Sequence, residues 1–209
     1  MTEPDPDHFE MRRLESLSNT IFGVAMTLLA YDLPKAGEFK SLPGWTNPAG
    51  ELIKSLPDWT DLYHLYSGRL AGLILSFIIA GLFWFSHHRR LVRHPHGSRG
   101  VVILNLFFLL SIIILPVTNG LYGSYRLEGV IAVIYGLHLT VIAALNALLW
   151  VLALRGRYDP QLLATALFPL GVFVLGTAIA FVTPKLAQLA WCLAFLAPMA
   201  GWLAGRRAG

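Results

Sequence analysis

RRLESLSNTIFGVAMTLLAYDLP, Arg12 to Pro34, opens on two arginines and then runs through apolar residues that still include Ser18, Asn19, Thr20 and Thr27. The apolar part is long enough to be read as a helix that crosses a membrane. A helix serving only as an anchor would carry Leu or Val at those four positions, because polar groups gain nothing from hydrocarbon. The four polar side chains therefore point to a task other than anchoring.

The rest of the chain supports the membrane reading. Of its 209 residues 56% are hydrophobic and 13% charged, with a mean hydropathy of +0.60; that is about half the charge of a soluble domain. Apolar runs recur and predict spans near 17–33, 70–87, 101–117, 130–154, 161–182 and 186–204. Each is close to the roughly 17 to 25 residues that a spanning helix needs. Continuous runs of this kind are unlike the short alternating segments of a membrane barrel. The expected fold class is all-α: a polytopic membrane protein of six transmembrane helices, forming a single domain over residues 1–209. The N-terminal MTEPDPDHFEMRR is acidic and does not read as a secretory signal.

The formal charge of +4 describes topology before it describes a partner. With the N-terminus in the cytoplasm, Arg12, Arg13, Arg89, Arg90, Arg93, Arg99, Arg155, Arg157, Arg206 and Arg207 fall inside, against Lys35, Lys40, Lys54, Arg69, Arg126 and Lys185 outside. This bias favours both termini in the cytoplasm, with the lipid bilayer as the partner and no nucleic acid. Cys192 is the sole cysteine, so no internal disulfide forms.

The connection from Pro34 to Ser67 holds two short Ser-Leu-Pro-x-Trp-Thr copies, read as turn-rich segments with Trp45 and Trp59 at headgroup depth. Pro160 is expected to start the fifth helix after Asp159, and Pro184 to separate the fifth from the sixth.

At 100° per residue, Thr20, Val24, Thr27, Leu28 and Tyr31 share one stripe of the first helix, while Phe22, Ala25, Met26 and Leu29 point away. Two readings fit this pattern. The helix packs in a bundle with its threonines bonded back to the preceding turn. Alternatively, several copies surround an axis and form rings of Thr hydroxyls beside rings of Val and Leu, a surface suited to an ion pore that closes by dewetting.

Arg13-x-x-x-Leu17-Ser18-Asn19 followed by IFGVAMTLLAYDLP resembles the Arg-x-x-x-Phe-Ser-Asp signature and first helix of the transmembrane protein 175 family of potassium channels. Trp84 with SHHRRL in the second span and NLFFLLSIIILPVTNGL in the third extend the likeness. Leu17 stands where the family has Phe and Asn19 where it has Asp. The resemblance implies a homotetramer of six-helix subunits in a bacterial plasma membrane, with first helices lining a potassium pathway and no cofactor. It places the hydrophobic constriction at Val24, Leu28 and Tyr31 further along the pathway, and the selectivity-related threonine at Thr27. Arg13, Ser18, Asn19, Trp84, His88 and Asn105 are expected to meet in one hydrogen-bonded cluster near the cytoplasmic end, supporting the pore helix.

Other constellations are weaker. His87, His88, His94 and His96 match no strong zinc spacing, and no metal site is expected. TNGLYG, Thr118 to Gly123, is read as an outer loop with a passing likeness to a potassium filter. His138 either bonds a neighbouring helix as a neutral ring or marks a proton path. No paired carboxylates or nucleophile and base lie at membrane depth, so an enzyme is not expected. The alternative to a channel is a secondary transporter, coupled to protons through His138.

Overall fold

The computed structural model describes residues 9–10, 12–54, 56–94, 96–125, 128–154 and 159–208. Arg126, Arg155 and Arg157, which entered the charge sorting, lie outside them. Helix dominates. In chain order these residues form strand β1 (Phe9–Glu10), α1 (Arg12–Leu28), 3-10 helices over Leu29–Asp32 and Ala36–Ser41, α2 (Trp59–Arg93), β2 (His96–Gly97), α3 (Arg99–Tyr125), α4 (Gly129–Leu154), α5 (Pro160–Ala180), α6 (Pro184–Cys192), a 3-10 turn Leu193–Leu196 and α7 (Ala197–Ala208). The two strands are two-residue pieces paired antiparallel, Phe9 with Gly97 and Glu10 with His96. They tie the start of the described chain to the link between α2 and α3.

Five helical segments among the described residues are long and apolar enough to cross a membrane: α2, α3, α4, α5 and the stretch Pro184–Arg206. The protein is an integral membrane protein. The expected first span is not among the five, because α1 has only 17 residues and three of its first four are charged. A 17-residue α-helix rises about 26 Å, and the 3-10 turn that follows adds about 8 Å. Together they match the roughly 30 Å hydrocarbon thickness.

Capping residues explain the helix starts. Asp58 accepts from the Asp61 N–H at 2.9 Å and Asp61 returns a bond from the Asp58 N–H at 3.0 Å, a reciprocal cap that starts α2. Lys54 bridges both carboxylates. This cap moves the start of α2 to Trp59, well before the expected residue 70. Asp159 caps α5 through the Leu162 N–H at 3.0 Å, with Pro160 in the first turn, and Pro184 opens α6. The expected sixth span is the helical stretch Pro184–Arg206, which tightens to a 3-10 turn at Leu193–Leu196.

The TNGLYG stretch is helix, not an outer loop: α3 continues through it to Tyr125. Its small residues serve helix contacts, as small residues do inside membranes. A Cβ on Gly120 would collide with the Asp32 carboxylate, and one on Gly123 would lie 3.4 Å from the Arg69 Cα. The two Trp-containing copies also differ. Trp45 is buried and stacks on Phe39 at 5.8 Å, while Trp59 is exposed at the first turn of α2. Trp45 is therefore an anchor for the connection rather than a headgroup residue.

The core is a row of rings from four helices. Phe22 of α1 meets Phe108 of α3 at 6.0 Å, Phe108 meets Phe83 of α2 at 6.4 Å, and Phe83 meets Phe173 of α5 at 6.0 Å. Beside it Ser76 bonds both Asn119 and Tyr135 at 2.6 Å, and Tyr135 stacks on Tyr122 with centroids 4.6 Å apart. These polar groups satisfy one another, which a water-free interior requires. α4 lies against α3 and α5, and α1 sits on the flank formed by α2 and α3.

Candidate functional site

The rotation of α1 follows from its apolar periodicity. Ser18, Phe22, Ala25 and Leu29 are buried against α2 and α3. The opposite face turns Thr20, Gly23, Val24, Thr27 and Leu28 outward, and Tyr31 in the 3-10 turn that follows continues it; Val24 is 53% exposed, Leu28 46% and Tyr31 69%. Large exposed side chains along the middle of α2 to α5 are Leu, Ile, Val and Phe, as a lipid-facing surface demands. The outward face of α1 differs in mixing threonine hydroxyls with its apolar residues.

Each threonine on this face donates its hydroxyl proton to its own helix. Thr27 Oγ1 donates to the Val24 carbonyl at 2.7 Å, and Thr20 Oγ1 to the Ser16 carbonyl at 3.1 Å. With the proton committed, the remaining lone pairs of the hydroxyl oxygen can only accept, or contact a cation. Back-bonding to the helix and an ion-facing oxygen are thus the same geometry. Val24 and Leu28 flank Thr27 on the exposed stripe with no polar atoms in their side chains.

The expected six-residue cluster divides in two. Trp84 Nε1 donates to Asn19 Oδ1 at 2.9 Å, the Trp84 ring stacks on His88 at 5.7 Å, and His88 Nδ1 lies 3.1 Å from the Glu15 carboxylate. Asn105 is not part of this group. It is fully buried on α3, where its Oδ1 accepts from Arg90, whose guanidinium also lies 3.0 Å from His87 Nδ1. Ser18 donates to the Leu14 carbonyl at 2.6 Å and, among the described residues, joins none of the other five. Arg13 is exposed and bonds none of the others. The division follows helix rotation: Trp84 and His88 face α1, while His87 and Arg90, one position and two positions away, face Phe108 and Asn105 on α3.

Sequence reasoning missed Arg90 and His87. Arg90 is only 2% exposed, whereas the sequence assigns it simply to the cytoplasmic arginines. Alternation within HHRRLVRHPHG was the available signal, because a helix places only every third or fourth residue on its buried face. His94 sits edge-on to Trp150 at 6.4 Å, so His87, His88 and His94 take different neighbours. Among the described residues no three His, Cys, Asp or Glu converge on a point. His138 joins helices: its Nε2 donates to the Ser111 carbonyl at 3.0 Å and its Nδ1 faces Thr118 Oγ1 at 2.8 Å.

Residues 13–116, from the start of α1 to the proline inside α3, match the family endosomal/lysosomal potassium channel TMEM175. The chain belongs to that family. A potassium channel of Streptomyces collinus is 27% identical over 166 residues, covering 75% of this chain and 72% of that protein. A crystal structure described as a lysosomal potassium-selective channel TMEM175 homolog from Chamaesiphon minutus shares the fold, with a TM-score of 0.74 at 20% identity over 90% of this chain and 96% of that one. TMEM175 is a family of channels and not of enzymes. The matched segment holds α1 and the helices that support it.

Proposed function

We propose that the chain is the subunit of a potassium-permeable channel whose pathway is lined by the exposed face of α1. One observation carries this reading: α1 packs its apolar face against α2 and α3 while leaving Thr20, Val24, Thr27, Leu28 and Tyr31 uncovered. Lipid is a poor solvent for such a face, but an axis shared with other copies suits it. Four copies, a homotetramer, would bring the stripes together around the pathway. The basic end of the bundle, with Arg12, Arg13, Arg90 and Arg93, is assigned to the cytoplasm with both termini.

Within the pathway Val24 forms the narrowest ring, Leu28 and Tyr31 stand further along, and Thr27 supplies the selective layer. An apolar ring holds back ions because removing their water costs far more than the wall returns. Thr oxygens replace part of the water of potassium more readily than that of sodium, which is held more tightly. No cofactor enters this scheme, and potassium is the permeant ion. A proton-coupled carrier would need His138 free to exchange protons, whereas its two ring nitrogens are engaged with α3. Reconstitution into vesicles tests the proposal. A passive potassium current reversing at the potassium equilibrium potential is expected, and flux that follows an imposed proton gradient would replace the channel by a carrier.

A further inference from the structure

At the end of the bundle where α2 finishes, a groove opens between α2 on one side and α5 and α7 on the other. Leu82 and Phe85 of α2, Leu162 and Pro169 of α5 and Pro198 of α7 give it apolar walls, and Arg89 is the sole charged residue among its lining. Its inner polar groups serve each other: Trp150 Nε1 donates to Ser86 Oγ at 2.9 Å, and Ser86 donates to Asn146 Oδ1 at 3.2 Å. Arg89 is different. Its guanidinium lies 5.6 Å over the Phe85 ring; among the described residues no carboxylate or carbonyl hydrogen-bonds it, and Asp159 at the start of α5 attracts it only through space. Arg93, one turn on, adds a second cation at the same end.

The geometry points to a binding site for one anionic phospholipid, with its phosphate on Arg89 and an acyl chain along the lipid-facing edge of the groove at Leu82 and exposed Phe85. The occupant must be amphiphilic, because the groove offers hydrocarbon contact and a cation within about one helical turn of each other. A free phosphate would leave the apolar surface unused; phosphatidylcholine also offers a phosphate, but its choline cation is repelled by Arg89 and Arg93, so a lipid of net negative charge is preferred. Arg suits this task, since its planar fork grips a phosphate through two parallel hydrogen bonds and its weak hydration eases removal from water. The depth also fits. The apolar run of α2 ends at Phe85, so Arg89 stands where headgroups begin, and exposed Phe85 keeps the groove open to lipid. The basic turn of α2 would draw anionic lipid to that leaflet.

Delipidated full-length protein in detergent, titrated with phosphatidylglycerol and phosphatidylcholine of matched chain length and followed by native mass spectrometry, tests the site. Wild type should hold phosphatidylglycerol in preference. Arg89→Gln should weaken that binding about fivefold, the effect of one basic residue near an anionic surface, and change phosphatidylcholine binding much less. Arg89→Lys should keep most of the preference, and Arg206→Gln, outside the groove, should keep all of it. Inorganic phosphate should not displace the lipid. Equal binding of the two lipids by wild type, an unchanged preference in Arg89→Gln, or full competition by phosphate would overturn the assignment. A change of oligomeric state in Arg89→Gln with unaltered lipid preference would give the groove to a second copy of the chain and overturn it equally.

Discussion

The indole Nε1 of Trp84 and the Asn19 side-chain oxygen form a 2.9 Å hydrogen bond that ties α2 to α1 across 65 positions of chain. Asn19 stands at the edge of the exposed face of α1, so this bond fixes the rotation that presents Val24 and Thr27. Trp84→Phe keeps an aromatic ring but removes the donor, and should cost about 1 kcal/mol of stability. Thermal melting of the purified protein measures it. Asn19→Asp should raise the melting temperature relative to Asn19→Ala, because an ionised acceptor strengthens the bond.

Val24 has no polar side-chain atom and is 53% exposed. Val24→Asn should raise the resting current, since an amide ring lowers the cost of bringing a partly dehydrated ion through. Planar-bilayer recordings at fixed voltage compare the variants, and an unchanged current in a protein that still assembles would remove Val24 from the constriction.

Thr27 offers an oxygen whose proton is already given to the Val24 carbonyl. Thr27→Ala removes that oxygen and leaves a small side chain. Conductance should persist while the potassium-over-sodium preference falls, seen as a shift of reversal potential under bi-ionic conditions. An unmoved reversal potential would reduce Thr27 to a packing residue.

Arg90 and Arg13 should separate cleanly. Arg90→Ala leaves buried His87 and Asn105 without their partner, at about 1 to 3 kcal/mol for each group, and should lower melting temperature sharply. Exposed Arg13→Ala should change stability by less than about 0.5 kcal/mol. Equal losses in the two variants would show that Arg13 carries a structural contact in the assembled protein.

At the other end of the bundle the Glu38 carboxyl is held below its ordinary pKa by the Lys35 backbone N–H, and further by the Arg69 guanidinium 2.7 Å away. A lowered carboxylate pKa contributes stability that is complete above the unfolded value, about 4.3, and is lost as pH falls through the folded value. Amide exchange over residues 36–42, corrected for intrinsic rates, should therefore be flat above about pH 5 and show loosening below it. Glu38→Gln should abolish that step.

Much of the surface of α1 was legible in local sequence. The spacing of Phe22, Ala25 and Leu29 sets the buried face of α1 by the 3.6-residue turn alone, so the outward position of Thr20, Val24, Thr27, Leu28 and Tyr31 needs no knowledge of the neighbours. The all-α class and the starts of α5 and α6 were legible for the same reason, since hydropathy, Asp159, Pro160 and Pro184 act within a few residues. Tertiary structure decided what distant surfaces choose. Asn105 meets Arg90 and not Asn19, Trp45 is buried, and TNGLYG remains helical because Gly120 and Gly123 admit Asp32 and Arg69. A side chain's own helix fixes the direction in which it points, but its partner depends on the rotation and depth of another helix, and those are set by packing across the whole bundle.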